Sequence, residues 1–377
     1  MGRSYTKQLT VKHQKLVDAF AEHSELEGVQ ILSPVGSPRA TGYRNHAKLV
    51  FRARRNRETL EDEVILGVFK PGTHSVMPAD SCIVHHRRLQ PLLRVLRREV
   101  EELGIPIYDE RTGEGALRFA LARTSDMASR THLTLVSATD KIQKLNTLVL
   151  RMQHKFKELE SVFLCVNAEG GNQLLTDDIR QIKGPPALRE KFGDLILESR
   201  SGAFLQANTE IASRIYDTAA RWLDAWAAEG VIDLYCGVGA LGLAAAGRNT
   251  RLLGIEASKS AVECATANAK RMQRHGAEFV AAPAEDVGKI AAEKGFAKPA
   301  ALIVNPPRRG LSQEAGDAIL KLAPRRILYV SCNLETLTRD LLAFVREGWV
   351  VSRARMFDML PQTPHIEIMV LMERRAT

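Results

Sequence analysis

The sequence predicts an α/β protein in which an α+β domain precedes a doubly wound, Rossmann-like domain. Three observations carry this prediction. From about residue 205 short apolar runs alternate strictly with amphipathic helical stretches, as they do where a parallel sheet is covered on both faces. Before that point the alternation is irregular. The first apolar run of the second half also ends in a glycine-bearing turn, and an acidic residue closes the next run, the layout of a nucleotide-binding βαβ unit. A chain of 377 residues with 45% apolar side chains can fill two cores, and the change of rhythm sets the domains at 1–204 and 205–377.

In chain order, the first half reads as strands at 48–54, 64–70, 118–123 and 133–137 with helices at 87–103 and 141–156. From Asn208 a helix at 209–228 follows. Strands are expected at 231–235, 252–256, 278–282, 301–305 and 326–331, each leading through a turn into a helical segment. Two last strands, 349–357 and 365–373, have no helix between them, which predicts a sheet closed by a hairpin with one antiparallel strand.

The formal charge is +9, from 53 Lys and Arg against 44 acids, so a polyanionic partner fits, as does an ordinary soluble protein. Five scattered cysteines make no disulfide framework and point to a reducing, cytoplasmic setting. No apolar stretch has membrane-spanning length, so no membrane partner is expected.

In open α/β sheets ligands bind beyond the carboxyl ends of the strands. The first such turn is Asp233-Leu-Tyr-Cys-Gly-Val-Gly-Ala-Leu-Gly, in which Gly237 lets the backbone approach a ligand closely. Glu256, ending the next strand, is placed to accept hydrogen bonds from ribose hydroxyls. Taken alone the turn also fits a dinucleotide fold or a structural bend. Asn305-Pro-Pro-Arg308 after a later strand makes a rigid extended turn, with the Asn305 amide at the strand end where a ligand's polar groups would lie.

Ser331-Cys-Asn333 ends the fifth strand, and Asn333 caps the helix expected at 334–346. Cys332 therefore sits at a helix N-terminus, where the dipole favours thiolate, as a nucleophile requires; a packed structural thiol is the competing reading. Glu367, at the start of the last strand, is a candidate general base, although a strand Glu is often simply solvated. Together they suit methylation of an unreactive pyrimidine C5, which needs a nucleophile to begin and a base to finish.

These residues carry a resemblance. Phe204-Leu-Gln206, Asp233-Leu-Tyr-Cys-Gly237, Asn305-Pro-Pro-Arg-Arg-Gly310, Val330-Ser-Cys-Asn333, Phe357-Asp358 and His365-Ile-Glu367 together resemble the RNA uracil-5-methyltransferases, and Gly42-Tyr-Arg-Asn-His-Ala-Lys48 extends the likeness into the first half. Within the family the chain looks most like the shorter 23S ribosomal RNA enzymes. The resemblance implies a class I methyltransferase domain that uses S-adenosylmethionine, with Gln206, Tyr235, Glu256 and Asn305 holding that donor. It implies that the Cys332 thiolate adds to uracil C6 and that Glu367 then removes the C5 proton. The RNA is expected to be 23S ribosomal RNA, with transfer RNA as the alternative, and the protein is expected to act as a monomer.

The chain departs from the family pattern at two points. Only Cys82, in Asp80-Ser-Cys82, matches the cysteines that hold an iron-sulphur cluster in many relatives, so no cluster and no metal site is expected. His74, His85 and His86 nearby read as surface histidines. The other departure is Gln362, which stands where relatives usually have His. A uracil in folded RNA must be flipped out to be reached. Arg44, Lys48, Arg52, Arg54, Arg55, Arg57 and Arg118, with Arg308 and Arg309 beside the site, are candidates to hold the RNA backbone. The competing classes are an amino-group methyltransferase, which needs no cysteine, and a non-catalytic RNA-folding or ribosome-assembly factor.

Overall fold

The computed structural model describes residues 4–55, 62–79, 81–169, 174–176, 178–223, 230–296 and 298–374. Helix α1 (Tyr5–Ala21) buries Lys12, Leu16 and Phe20, spaced four apart on one face. Strand β1 (Gln30–Val35) follows.

Next come β2 (His46–Arg55), β3 (Asp62–Phe69), β4 (Val76–Pro78), α2 (Leu89–Glu102), β5 (Leu117–Ser125), β6 (Arg130–Ser137), α3 (Leu145–Lys155), β7 (Leu159–Val166) and β8 (Ile179–Lys183). These strands form a seven-stranded sheet in the order β4-β3-β2-β5-β6-β7-β8, in which only the β6–β7 pair is parallel. Ala47, Leu49 and Phe51 of β2 share a core with Leu89, Leu92, Leu93, Leu96 and Val100 of α2. The period of two in a strand therefore turns His46, Lys48, Val50 and Arg52 to the opposite face.

The chain continues through a two-stranded ribbon, β9 (Ala187–Phe192) and β10 (Leu195–Arg200), into α4 (Thr209–Leu223). Asn208 caps α4, its Oδ1 accepting from Ile211 N at 3.3 Å. There follow β11 (Val231–Leu234), α5 (Ala240–Ala245), β12 (Leu252–Glu256), α6 (Lys259–Arg271), β13 (Ala277–Ala281), α7 (Val287–Glu293), β14 (Ala301–Val304), α8 (Gln313–Leu322), β15 (Arg326–Ser331), α9 (Leu334–Arg346), β16 (Trp349–Phe357) and β17 (Glu367–Arg374). They build an eight-stranded sheet, β1-β16-β17-β15-β14-β11-β12-β13, in which β17 alone runs against its neighbours. One face packs Leu16 and Phe20 of α1 with Ile319, Leu337 and Leu341, and the other packs Ile211, Ile215, Leu241 and Leu243. Helices on both faces explain why these strands read as continuous apolar runs.

The chain divides into two compact units. One holds residues up to Ala40, Lys191–Ser199 and those from Ala203 onward; the other holds Thr41–Glu190 and Arg200–Gly202. This differs from a single cut at residue 204, because β1 pairs in parallel with β16, Gln30 opposite Arg353, and carries the first 40 residues into the doubly wound sheet. The strands and helices foreseen in the sequence stand within a few residues of their expected bounds. Of the helix expected at 209–228, the part to Leu223 is seen and the rest lies outside the described residues.

Candidate active site

Parallel strands β11, β12, β14 and β15 end at one edge of the sheet, and the residues just beyond them form the site. After β11 the backbone turns through Tyr235 (φ 58°), Gly237 (φ 55°) and Gly239 (φ 78°), all left-handed. At Gly239 a Cβ would come within 3.2 Å of the Phe279 ring and Ala265, so glycine there serves both φ and packing. At Gly237 a Cβ would meet nothing, so the backbone lies open to a ligand.

Gln206, Tyr235, Gly237 and Asn305 line one cleft together with Asp233 and Val330. Glu256 joins this group through hydrogen bonds: one carboxylate oxygen accepts from Gly237 N at 3.1 Å and the other from Ser258 N at 2.9 Å. Asp233, given no role from the sequence, is buried beside the cleft. Its Oδ2 accepts from Gly242 N at 2.8 Å, while its Oδ1 has no hydrogen-bond partner. Burial pushes the Asp233 carboxyl up to about 7, with the Gly242 amide opposing and the Glu256 charge assisting. An open glycine backbone, a carboxylate held at a strand end and an orphaned buried acceptor fit a nucleoside carrying hydroxyl and ammonium donors.

The second half of the site lies at β15 and β17. Ser331 pairs with Ile368, so Cys332 and Glu367 each follow directly on the last pair of that ladder, close enough for the Glu367 charge to act on the thiol. Glu367 also pairs with Phe357 of β16 and is buried. Burial pushes its carboxyl up to about 7, into the range of a working general base. Cys332 is half-buried, and Asn333 caps α9 with Oδ1 accepting from Glu335 N at 3.2 Å, as the sequence suggested. The thiol is nevertheless not lowered: burial, and then the Glu367 charge, push it up, against the charge and hydrogen bond of Arg308. Desolvation and the Glu367 charge thus oppose the helix-end effect that the sequence emphasised.

Arg308, read from sequence as an RNA contact, is exposed, and α9 holds its backbone. Its carbonyl accepts from Asn333 Nδ2 at 3.0 Å and Thr336 Oγ1 at 3.1 Å, and its guanidinium reaches His365 Nδ1 at 3.1 Å. Asp340 anchors the same loop by accepting from Leu311 N at 2.9 Å and Tyr329 OH at 2.6 Å. The sequence reading also gave Lys12 no role. Its Nζ donates to Asp358 Oδ1 at 2.6 Å and to the Leu360 carbonyl at 3.0 Å, just before the last strand. A lysine within the buried stripe Lys12, Leu16, Phe20 was the available signal.

In the other unit, Arg44, His46, Lys48, His85 and Arg123 come together: His46 stands opposite Arg123 across β2 and β5, and Arg44 bridges to His85. Burial, and then the neighbouring arginines, push the Lys48 ammonium and the His46 imidazole down. Arg54 is paired with Glu63 at 2.6 Å, and Arg57 lies outside the described residues. Arg118, expected at an RNA surface, is instead buried. It donates to the Asn167 and Glu169 carbonyls and to Glu110, within 5.0 Å of the Tyr108 ring centre. His85 and His86 are buried rather than surface residues, His86 lying 3.0 Å from Asp126. Cys82 is half-buried, its carbonyl accepting from Gln90, and Asp80 lies outside the described residues. Among the described residues no three His, Cys, Asp or Glu gather as metal ligands do, and no helix is long and apolar enough to cross a membrane.

Comparison with known proteins agrees with this geometry. The sequence model of the tRNA (uracil-5-)-methyltransferase family matches residues 187–375. The 23S rRNA (uracil(747)-C(5))-methyltransferase RlmC of Shewanella oneidensis is 31% identical over 374 residues, covering 97% of this chain and 92% of that one. An uncharacterized RNA methyltransferase of Geobacter sulfurreducens is 29% identical over 371 residues, covering 98% of this chain and 74% of its own length. Among solved structures, the tRNA (uracil-54, C5)-methyltransferase of Pyrococcus abyssi, in complex with S-adenosyl-L-homocysteine, superposes with a TM-score of 0.76 at 23% identity, over 98% of this chain and 83% of that one. A thiol and a carboxylate at the end of one strand pair, near a glycine-bearing cleft, are thus found in a chain that belongs to the RNA uracil-5-methyltransferases.

Proposed function

We propose that the protein methylates C5 of a uridine in 23S ribosomal RNA, with S-adenosylmethionine as the methyl donor and Cys332 as the covalent nucleophile. The observation that carries this reading is the juxtaposition of Cys332 and Glu367 at the end of the Ser331–Ile368 pair, beside the cleft. Gln206, Tyr235, Gly237, Glu256 and Asn305 hold the donor, with Asp233 Oδ1 free to accept from an ammonium group. When bound, S-adenosylmethionine supplies an electrophilic methyl on a sulfonium.

The chain's own residues do the rest. Arg308 offsets the desolvation of Cys332, and the sulfur adds to uracil C6, moving the C5–C6 pair toward the O4 carbonyl so that C5 becomes nucleophilic. Once C5 bears the methyl, Glu367 takes the C5 proton. The C5–H pair re-forms the C5–C6 double bond, and the S–C6 pair returns to sulfur. A carboxyl near 7 is a stronger base for this than an ordinary glutamate, and still ionised in a useful fraction at neutral pH. The cations around Lys48 and Arg123 hold the RNA backbone.

The ribosomal substrate is supported by the relative 31% identical over nearly the whole chain. The test is incubation with methyl-labelled donor and unmodified 23S or transfer RNA, followed by nucleoside analysis, beside Cys332→Ala. Labelled 5-methyluridine in 23S RNA, lost in the variant, is the expected result. Label in transfer RNA alone would change the substrate, and methyl transfer to an amine that survives in the variant would overturn the mechanism.

A further inference from the structure

The turn between β16 and β17, residues 358–366, delivers both His365 and Glu367 to the site, and α1 holds it from outside the sheet. Lys12 and Asp358 are both buried, their side chains 5% and 0% exposed, and meet at 2.6 Å. Lys12 also takes the Leu360 carbonyl, while Gln8 takes Gln362 at two points: Gln8 Nε2 donates to Gln362 Oε1 at 3.0 Å, and Gln362 N donates to Gln8 Oε1 at 3.2 Å. Gln362 itself is left-handed at φ 64°, a conformation a non-glycine residue leaves when nothing holds it. Asp358 directly follows Phe357, the residue paired with Glu367, so the pinned end of the turn adjoins the base. The other oxygen of Asp358 has no hydrogen-bond partner, which leaves the carboxylate dependent on Lys12.

We propose that Lys12 is a positioning residue for proton removal: by clamping the 358–366 turn it keeps Glu367 within reach of the C5 proton after methyl transfer. The inference rests on the reading of Glu367 as the base. It makes the last step the sensitive one. Addition of sulfur to C6 and methylation of C5 use Cys332 and the cleft, which this turn touches through the His365–Arg308 contact and not through Glu367. Loss of the C5 proton to the carboxylate, with the C5–H pair forming the double bond and the S–C6 pair leaving with sulfur, needs the carboxylate in place. A slackened turn therefore stalls the enzyme as a methylated protein–RNA adduct.

The experiment uses the full chain with methyl-labelled donor and unmodified 23S RNA, and resolves labelled adduct from free labelled RNA on denaturing gels. Glu367→Gln is the control for the base, Lys12→Met removes the clamp, and Gln8→Ala loosens it without leaving a buried charge unpaired. The ratio of adduct to released 5-methyluridine should rise on the order of tenfold or more in Lys12→Met and less in Gln8→Ala, as displacement of a reacting group by a fraction of an ångström to an ångström implies. If both variants keep the melting temperature and the wild-type ratio, or if rate falls with the ratio unchanged, Lys12 is only structural and the proposal fails while the base reading stands. If Lys12→Met does not fold, Gln8→Ala decides in the same way. If Glu367→Gln itself gives no adduct while 5-methyluridine is still made, the base reading fails and the proposal with it.

Discussion

Cys332 and Glu367 each stand one residue beyond the Ser331–Ile368 pair that ends the β15–β17 ladder. Because β17 alone runs against the sheet, its first residue arrives at the edge where the parallel strands end. The Glu367 charge raises the Cys332 thiol, while the Glu367 carboxyl is itself raised by burial.

The first prediction concerns that coupling. The Glu367 charge raises the Cys332 thiol and Arg308 lowers it. In Glu367→Gln, alkylation of Cys332 by iodoacetamide should titrate at lower pH than in the wild type, and in Arg308→Gln at higher pH. Coincident profiles for the three proteins would show that neither group acts on the thiol.

Glu367 should also cost stability. Its folded pKa is raised, from 4.5 to about 7, so there is no penalty below 4.5, a growing one between, and the full one above about 7. At 1.36 kcal/mol per unit this amounts to roughly 3 kcal/mol. Glu367→Gln should lose turnover yet gain more melting temperature at pH 8 than at pH 4. A gain independent of pH would contradict the shift.

Glu256 is held by two backbone amides at the end of β12. Glu256→Ala should weaken S-adenosylhomocysteine binding by about 10- to 100-fold in calorimetry, the worth of one or two hydrogen bonds to a charged group. Unchanged affinity would move the donor elsewhere.

Asn333 caps α9 and also holds the Arg308 carbonyl. Asn333→Ala should destabilise by about 1 kcal/mol, as lost caps do, and should lower kcat with little change in KM for the methyl donor. A loss confined to stability would separate the cap from the chemistry.

Lys48→Gln and Arg123→Gln should each flatten the salt dependence of RNA binding by about one unit of slope, without abolishing donor binding. An unaltered slope in both would exclude this face as a phosphate contact.

Much of this was readable from the residues. The buried parallel strands announce themselves as apolar runs, and Cys332, Asn333 and Glu256 declare their places by standing where strands stop. β1 was not readable, because Gln30-Ile-Leu-Ser-Pro-Val35 is short, contains proline and takes its identity as an edge strand from β16 at the far end of the chain. Arg118 misled because a buried arginine satisfied by carbonyls and an aromatic face carries the same letter as a surface cation. The thiol misled because a helix N-terminus is visible in sequence and desolvation is not.

The parallel pairing of β1 with β16 also bears on synthesis. Gln30 must wait for Arg353, and the clamp of Lys12 must wait for Asp358. Translation delivers the first partner of each pair long before the second, and such distant contacts close late because the intervening chain must first be ordered. A nascent chain that has not yet released residues 349–374 has neither Glu367 nor the strand that pairs with β1. The sheet edge that carries Cys332 and Glu367 is thus complete only once β16 and β17 have both emerged.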